Sequence, residues 1–280
     1  MQSKSLLGNL VKGVNRRISK TFENPYKDLN LNFFELKYLK HLPAGEIRQH
    51  QFKSGTISYT NPQELLHGFD EIFIQEIYKI ELEPDCYIID CGANIGLSVI
   101  YLKQIFPKAN IVAFEPDEQN FELLTENVTS FGFSGVELRE EAVWIENTFI
   151  GFSNEGSMSS KVDQDNTVSK KVKAFRLKDL LNRKIDFLKI DIEGAEYPVL
   201  KDIEVCLINV QNLFIEYHGL FSQNNELTHI FNILSGNGFS YYIKEATPVY
   251  ERPFIDPFNR SVKKDWDVQL NIFCFRKKAV

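Results

Sequence analysis

Acidic side chains recur along this sequence at the points where predicted β-strands end. Asp90 closes the apolar run YIID, Glu115 follows NIVAF, Glu141 follows VELRE and Asp191 follows DFLKI. The carboxyl ends of parallel strands meet at one edge of a sheet, which is where ligands bind in open α/β folds. A carboxylate there can accept hydrogen bonds from hydroxyl or amino groups, hold a cation, or take a proton. The spacing therefore predicts one acidic ligand-binding edge.

The first of these carboxylates opens a turn that contains two glycines, Asp90-Cys91-Gly92-Ala93-Asn94-Ile95-Gly96. Glycine lets a backbone turn sharply and approach a ligand without a Cβ in the way. A helix that begins near Gly96 would direct its first N–H groups at a ligand above the turn. The turn does not fit the dinucleotide fingerprint G-x-G-x-x-G, because Asn94 and Leu97 stand where the second and third glycines belong. We therefore expect a ligand without a pyrophosphate.

The next two strand ends favour a nucleoside. Glu115 lies roughly 20 residues past the glycine turn, where an acid pairs with ribose hydroxyls, and Pro116 follows it. Glu141 and Ala142 offer an acceptor and a small side chain for the amino group and ring of an adenine. A glycine turn alone is often only a tight connection, but three acids at successive strand ends are harder to obtain by chance. A nucleoside without pyrophosphate indicates S-adenosylmethionine.

A second acidic group, KIDIEGAE at 189–196, combines several possible roles. Asp191 could orient the amine of the cofactor, bind a divalent cation such as Mg²⁺ through oxygen, or act as general base on a hydroxyl. Glu193 follows it, and Glu196 is expected to stabilise the start of a helix. His218 ends the next strand, where it could share the site as a base. The catalytic candidates are therefore Asp191, Glu193 and His218, with a metal left open because spacing alone does not show convergence.

The elements that must position these residues alternate between strand and helix from Cys86 onward. The pattern predicts a doubly wound, mostly parallel, seven-stranded Rossmann-like sheet that ends in an antiparallel edge hairpin. It includes one continuous strand over 136–143, a helix over 176–182, and a polar stretch at 151–175 that is a hairpin or a loop over the site. Residues 1–80 form an N-terminal α+β accessory region, with strands joined at Ser54-Gly55 and a helix over 63–80. Residues 81–280 form the cofactor-binding domain.

Charge and composition limit the classes of partner. The net charge is −6 and the sequence pI is about 5.5, which argues against a nucleic-acid binder with a large basic face. The first twenty residues are instead basic, so weak contact with a membrane surface is possible, although a solvated or packed terminal helix is favoured. No apolar run is long enough to span a bilayer and no signal peptide opens the chain, so we expect a cytoplasmic protein. The sequence carries no signal for the oligomeric state.

Four segments together resemble the FkbM-type methyltransferases: IDCGANIG (89–96), FEPD (114–117), EEAVW (140–144) and LKIDIEGAEYPVL (188–200). The resemblance covers roughly Asp70 to Cys274, and KIDIEGAE is its most specific part. It implies a class I, S-adenosylmethionine-dependent enzyme, often an O-methyltransferase acting on a hydroxyl of a small molecule, sugar or glycan. It also implies that Asp90, Gly92, Asn94 and Gly96 surround the methionine part of the cofactor, that Glu115 binds the ribose, and that Glu141 with Ala142 binds the adenine.

Two other functions remain open from the sequence. A nucleotide-dependent oxidoreductase could use a similar sheet, although Asn94 in place of the second glycine counts against it. A non-catalytic binding protein could retain the fold without turnover, although the intact acids at 90, 115, 141 and 191 count against decay of the site.

Overall fold

A computed structural model describes residues 24–52, 54–152, 170–258 and 265–276. They form two compact units, one up to Ile77 and one from Tyr78 onward. The basic segment at the N-terminus and the middle of the polar stretch 151–175 lie outside the described residues. Within the described residues, no helix is both long and apolar enough to cross a bilayer.

The N-terminal unit contains short helices and one hairpin. Its elements are a 3₁₀ turn (Pro25–Leu29), α1 (Phe33–Leu39), β1 (Arg48–Gln51), β2 (Thr56–Tyr59), α2 (Pro62–Gly68) and a π-helix (Phe69–Ile74). The hairpin predicted around Ser54-Gly55 forms, with β1 and β2 antiparallel. The helix predicted over 63–80 is wrong beyond Ile74. Glu76 adopts a left-handed φ of +52°, which an α-helix cannot continue through.

The described residues of the second unit contain ten strands and four α-helices. The helices are α3 (Leu97–Ile105), α4 (Glu118–Ser130), α5 (Glu196–Ile203) and α6 (Asn225–Gly236). The strands are β3 (Tyr87–Cys91), β4 (Asn110–Phe114), β5 (Val136–Arg139), β6 (Ala142–Trp144), β7 (Thr148–Phe152), β8 (Lys170–Arg176), β9 (Ile185–Ile190), β10 (Val210–Gly219), β11 (Ser240–Glu245) and β12 (Val268–Phe275).

Seven of these strands form the predicted doubly wound sheet, in the order β11-β12-β10-β9-β3-β4-β5. β12 is antiparallel to both of its neighbours, and the pairs from β10 to β5 are parallel. β11 therefore forms one edge of the sheet, and β12, which follows it in sequence, lies between β11 and β10. Strand order reverses between β3 and β9, so the crevice expected for a ligand lies at the carboxyl ends of these two strands.

Alternation within the strands separates a helix-covered apolar face from a face that carries charge. Leu188 and Ile190 of β9 join a core with Ile215 of β10 and with residues of α5 and α6. Lys189 points to the opposite face, as period-two geometry requires. That second face carries the residues of the candidate site.

Two sequence predictions are corrected here. The strand predicted over 136–143 is split, because β5 ends at Arg139 and β6 joins β7 and β8 in a separate three-stranded sheet. Glu141 at the break pairs with Lys173 of β8, which anchors the chain to the new sheet. The helix predicted over 176–182 is a single 3₁₀ turn, Leu177–Leu180, because β9 begins soon afterwards at Ile185. β7 and β8 are antiparallel, so the ends of the polar stretch form a hairpin.

Candidate active site

Gly92 allows two strand ends to touch. It follows β3 with a φ of +88°, and a Cβ added to it would lie 1.8 Å from the backbone oxygen of Asp191, at the end of β9. The N–H groups of Gly92 and Ala93 both donate to the carbonyl of Phe114, the last residue of β4, at 3.0 and 2.8 Å. The sequence interpretation gave this glycine to a ligand. In the structure, the space without a Cβ is taken by the protein's own backbone.

Gly96 has a similar internal role at the start of α3. Its φ is +92°, and an added Cβ would lie 2.7 Å from Cδ1 of Leu124 in α4. The helix begins at Leu97 without a side-chain cap, whereas Asp117 caps α4 through the N–H of Asn120. The first N–H groups of α3 therefore keep their capacity to bind a polar group.

Glu115 is anchored beside the glycine turn. One carboxylate oxygen accepts the N–H of Asn94 at 2.8 Å and the other accepts the N–H of Asp117 at 2.9 Å. Only 6% of the residue is exposed, and burial raises the pKa of its carboxyl to about 7, although both backbone hydrogen bonds act to lower it. Pro116 follows at the half-buried start of the loop to α4. Two sequence candidates, Asn94 and Glu115, are thus brought into direct contact.

A buried lysine that the sequence analysis missed joins the ends of β3 and β9. Nζ of Lys189 lies 3.1 Å from Oδ1 of Asp90 and 3.2 Å from Oδ2 of Asp191, and it donates to the carbonyl of Gly92 at 2.7 Å. The other oxygen of Asp90 accepts a hydrogen bond from Ser98 at 2.5 Å. Burial acts to lower the pKa of Lys189, but the carboxylates of Asp191 and Asp90 outweigh it and raise that pKa well above its usual value. In the sequence, this role was indicated by a single lysine within the apolar run DFLKI.

Glu196 has a larger role than the helix cap that the sequence predicted. It is 1% exposed, and its Oε1 accepts the N–H groups of Ile192 at 3.0 Å and Gly194 at 3.1 Å. The same oxygen lies 3.3 Å from Nδ1 of His218. Glu196 therefore fixes both the loop that carries Glu193 and the imidazole of His218.

The three catalytic candidates converge, which the sequence could not establish. One ligand atom from each of Asp191, Glu193 and His218 lies within 4.8 Å of the others. Nε2 of His218 lies 3.7 Å from a carboxylate oxygen of Glu193 and 3.7 Å from one of Glu216. Burial acts to lower the pKa of His218, but Glu196, Glu193 and Asp191 outweigh it and raise that pKa to about 10. His218 is therefore an imidazolium near neutral pH and cannot itself accept a proton in this state.

Trp266 forms a wall of this centre. A Cβ added to Gly194 would lie 2.4 Å from Cη2 of the indole, so the ring packs directly on the loop. Its centroid lies 5.5 Å from that of His218, and its N–H donates a hydrogen bond to Glu193. A loop far from Gly194 in sequence therefore brings this ring to the acidic centre.

Glu141 and Ala142 follow closely after β5, whose last residue, Arg139, accepts the N–H of Glu115 through its carbonyl at 3.1 Å. Ala142 is buried in β6, and Glu141 is 9% exposed, with its carboxylate 2.5 Å from Nζ of Lys173 and 3.9 Å from Arg139. Within the described residues, no hydrogen bond or ion pair links Glu141 to the glycine turn. A cavity of about 510 Å³ is lined here by Arg139, Glu140, Glu141, Lys173 and Phe175. An adenine amino group at Glu141 would compete with two cations for its carboxylate.

Comparison with known proteins identifies the family. Residues 90–241, more than half of the 280, match the "Methyltransferase FkbM domain". Methyltransferase 1 of Beauveria bassiana is 28% identical over 52% of this chain and 71% of its own length. The 31-O-demethyl-FK506 methyltransferase FkbM of Streptomyces tacrolimicus is 25% identical over 70% of this chain and 89% of its own. Hexuronic acid methyltransferase AglP of Haloferax volcanii is 29% identical over 49% and 58%. The chain belongs to the FkbM methyltransferase family.

Proposed function

We propose that this protein transfers a methyl group from S-adenosylmethionine to a hydroxyl group of a small molecule, sugar or glycan. Methyl transfer follows from the family, and we assign it to the unit that begins at Tyr78. The observation that carries the choice of cofactor is the anchored carboxylate of Glu115, held by the N–H of Asn94 beside a glycine turn that lacks a pyrophosphate fingerprint.

The residues at the crevice fit the chemistry of this cofactor. Each oxygen of Glu115 accepts one backbone N–H and retains capacity for a ribose hydroxyl. The uncapped start of α3 suits a carboxylate, and the acids around Asp191 suit an ammonium group and a positively charged sulfur. When bound, the cofactor supplies an electrophilic methyl group on a sulfonium. Lys189 holds Asp90, Asp191 and the glycine turn in place on the protein side.

The acceptor hydroxyl must lose a proton as the new bond forms, and we assign that proton to Glu193. His218 is already protonated in this state, so it faces the Glu193 carboxylate as a positive charge 3.7 Å away rather than acting as base. Burial raises the pKa of Glu193, which strengthens it as a proton acceptor, and its side chain is 52% exposed, so an acceptor can reach it. Two relatives, a demethyl-FK506 methyltransferase and a hexuronic acid methyltransferase, support small-molecule or sugar acceptors.

Calorimetric titration tests the cofactor. We expect saturable binding of S-adenosylmethionine and of its demethylated product, and none of NAD. Glu115→Gln should weaken binding by about tenfold or more, because it replaces a charged hydrogen-bond acceptor. Glu122→Gln, at an exposed position of α4, is the matched control and should bind normally. Failure of both sulfur ligands to bind, or saturable binding of NAD, would overturn the proposal.

A screen of hydroxyl acceptors with labelled cofactor then tests turnover. Methyl transfer that is lost in Glu193→Gln while cofactor binding persists would support the assigned proton acceptor. Tight cofactor binding without transfer to any acceptor would instead favour the non-catalytic binding protein.

A further inference from the structure

The centre formed by Asp191, Glu193 and His218 has the size and the ligand types of a cation site. Its three ligand atoms, two oxygens and one nitrogen, lie within 4.8 Å of one another. Two ligands on opposite sides of a divalent cation, each at 2.1–2.4 Å, are about 4.2–4.8 Å apart. We infer that Asp191, Glu193 and His218 bind one divalent cation through a carboxylate oxygen of each acid and Nε2 of the histidine, which releases its proton to solvent as the cation binds.

The imidazole is held as a metal-binding histidine is held. His218 is 3% exposed, and its Nδ1 faces the buried carboxylate of Glu196 at 3.3 Å. A ligating histidine almost always gives its second ring nitrogen to a carboxylate or carbonyl, which fixes the tautomer and the ring orientation. Glu196 is fixed in turn by the N–H groups of Ile192 and Gly194. The contacts that orient a metal-binding histidine are therefore present around His218.

Nε2 of the same ring is directed at the acids without bonding to them. The carboxylate oxygens of Glu193 and Glu216 stand 3.7 Å from it, beyond hydrogen-bonding distance. His218 makes no hydrogen bond through Nε2 to any part of the chain that the structure describes. A buried ring nitrogen that faces acids across such a gap is placed to receive an ion between them.

The charge balance favours a cation as well. Five carboxylates surround the centre, and Lys189 contacts two of them, Asp90 and Asp191. The carboxylates are Asp90, Asp191, Glu193, Glu196 and Glu216. Like charges in a partly buried cluster repel strongly, and a dication between Asp191 and Glu193 relieves that repulsion. Lys189 already contacts one oxygen of Asp191, so we place the divalent cation on the side of Asp191 and Glu193 that faces His218.

The mixed ligand set indicates which cation binds. Mg²⁺ prefers oxygen ligands alone, whereas imidazole together with carboxylates suits a first-row divalent ion such as Mn²⁺. Three protein ligands leave coordination positions open on such an ion. An acceptor oxygen bound at one of them would be held beside Glu193, which is the group assigned above to the proton.

Binding of Mn²⁺ alone to the purified full-length chain, followed by electron paramagnetic resonance, tests the site without any cofactor or acceptor. We expect one saturable Mn²⁺ per chain. Glu193→Gln should abolish the signal of bound ion, and Glu196→Gln should weaken binding by about 10–100-fold, as loss of a supporting partner does. Glu204→Gln, on the exposed turn after α5, is the matched control and should bind normally. Thermal unfolding of each variant separates loss of a ligand from loss of the fold.

Each result decides the question. Absence of saturable Mn²⁺ binding, or equal affinity in Glu193→Gln and in the control, would overturn the site. Equal affinity for Mg²⁺ and Mn²⁺ would overturn the role of His218 as a ligand, because an oxygen-only site shows little such preference. Titration with S-adenosylmethionine is a separate measurement, so failure of the cation site and failure of the proposed function are distinguishable.

Discussion

Replacing Lys189 with methionine should destabilise this protein more than most single substitutions. The substitution keeps the aliphatic stem but removes the cation that contacts Asp90, a residue that is 0% exposed. Removing one partner of a buried ion pair typically costs about 3–5 kcal/mol, because the remaining charge stays buried without compensation. The hydrogen bond to the Gly92 carbonyl would add about 1 kcal/mol. For a unit of this size, a total loss of about 4–6 kcal/mol lowers Tm by roughly 8–24 °C.

Denaturant unfolding of four chains measures this cost: the wild type, Lys189→Met, Asp90→Asn and the double variant. Because Lys189 and Asp90 act as a pair, the double variant should be more stable than the sum of the single losses predicts, by about 0.5–3 kcal/mol. Lys108→Met, at an exposed position after α3, is the matched control and should lie within about 0.5 kcal/mol of the wild type.

Two results would refute the reasoning. If Lys189→Met cost less than about 1 kcal/mol, the attraction between Lys189 and Asp90 would do no more than offset the cost of desolvating them. If the losses in the double variant were additive, the 3.1 Å contact between Nζ and Asp90 would not be an energetic interaction.

Three further predictions concern the crevice and its wall. Gly92→Ala should be far more destabilising than Gly132→Ala in thermal unfolding, because both have left-handed φ values but only Gly92 has backbone 1.8 Å from an added Cβ. Equal losses would show that the turn can relax. The free energy of unfolding should fall as pH rises from 4.5 to about 7, by up to about 3 kcal/mol, because folded Glu115 retains a proton that the unfolded chain releases. Glu115→Gln should flatten this part of the stability–pH profile, and an unchanged slope would contradict the assignment. Trp266→Phe should leave cofactor binding intact but lower kcat by about tenfold, because the ring is kept and the hydrogen bond to Glu193 is lost. A matching fall in cofactor affinity would place the indole in the cofactor site instead.

The sheet was predictable from the sequence because its strands and helices carry their own hydrophobic periods. Strands such as β3, β4 and β9 are short apolar runs that end in acids, and each is followed by a helix or turn. The break between β5 and β6 was not predictable from that pattern, since it depends on the backbone pairing of β6 with β8, which is far away in sequence. Local composition around 136–143 is equally compatible with one strand.

The candidate site likewise contains residues that local sequence patterns locate and residues that only tertiary contacts bring together. Asp90, Glu115 and Asp191 could be found because strand ends place them by topology alone. Trp266 could not be found, since a separate loop brings its indole to Gly194. The link between Glu196 and His218 also depends on two elements that meet only in the folded sheet. The glycine turn was located correctly, but the group that fills the space above Gly92 is a neighbouring strand end.

The insertion of β12 between β10 and β11 affects how the protein is assembled during synthesis. β10 carries Glu216 and His218, and it gains its second neighbour only after α6, β11 and the following loop have left the ribosome. Until then, β10 presents an open strand edge, and such edges recruit other chains into aggregates. β11 emerges first and could occupy the place of β12 by pairing directly with β10, which would shut out the correct strand. Nascent chains that stall before residue 268 should therefore depend strongly on chaperones, and the acidic centre should be the last region to acquire native hydrogen-exchange protection.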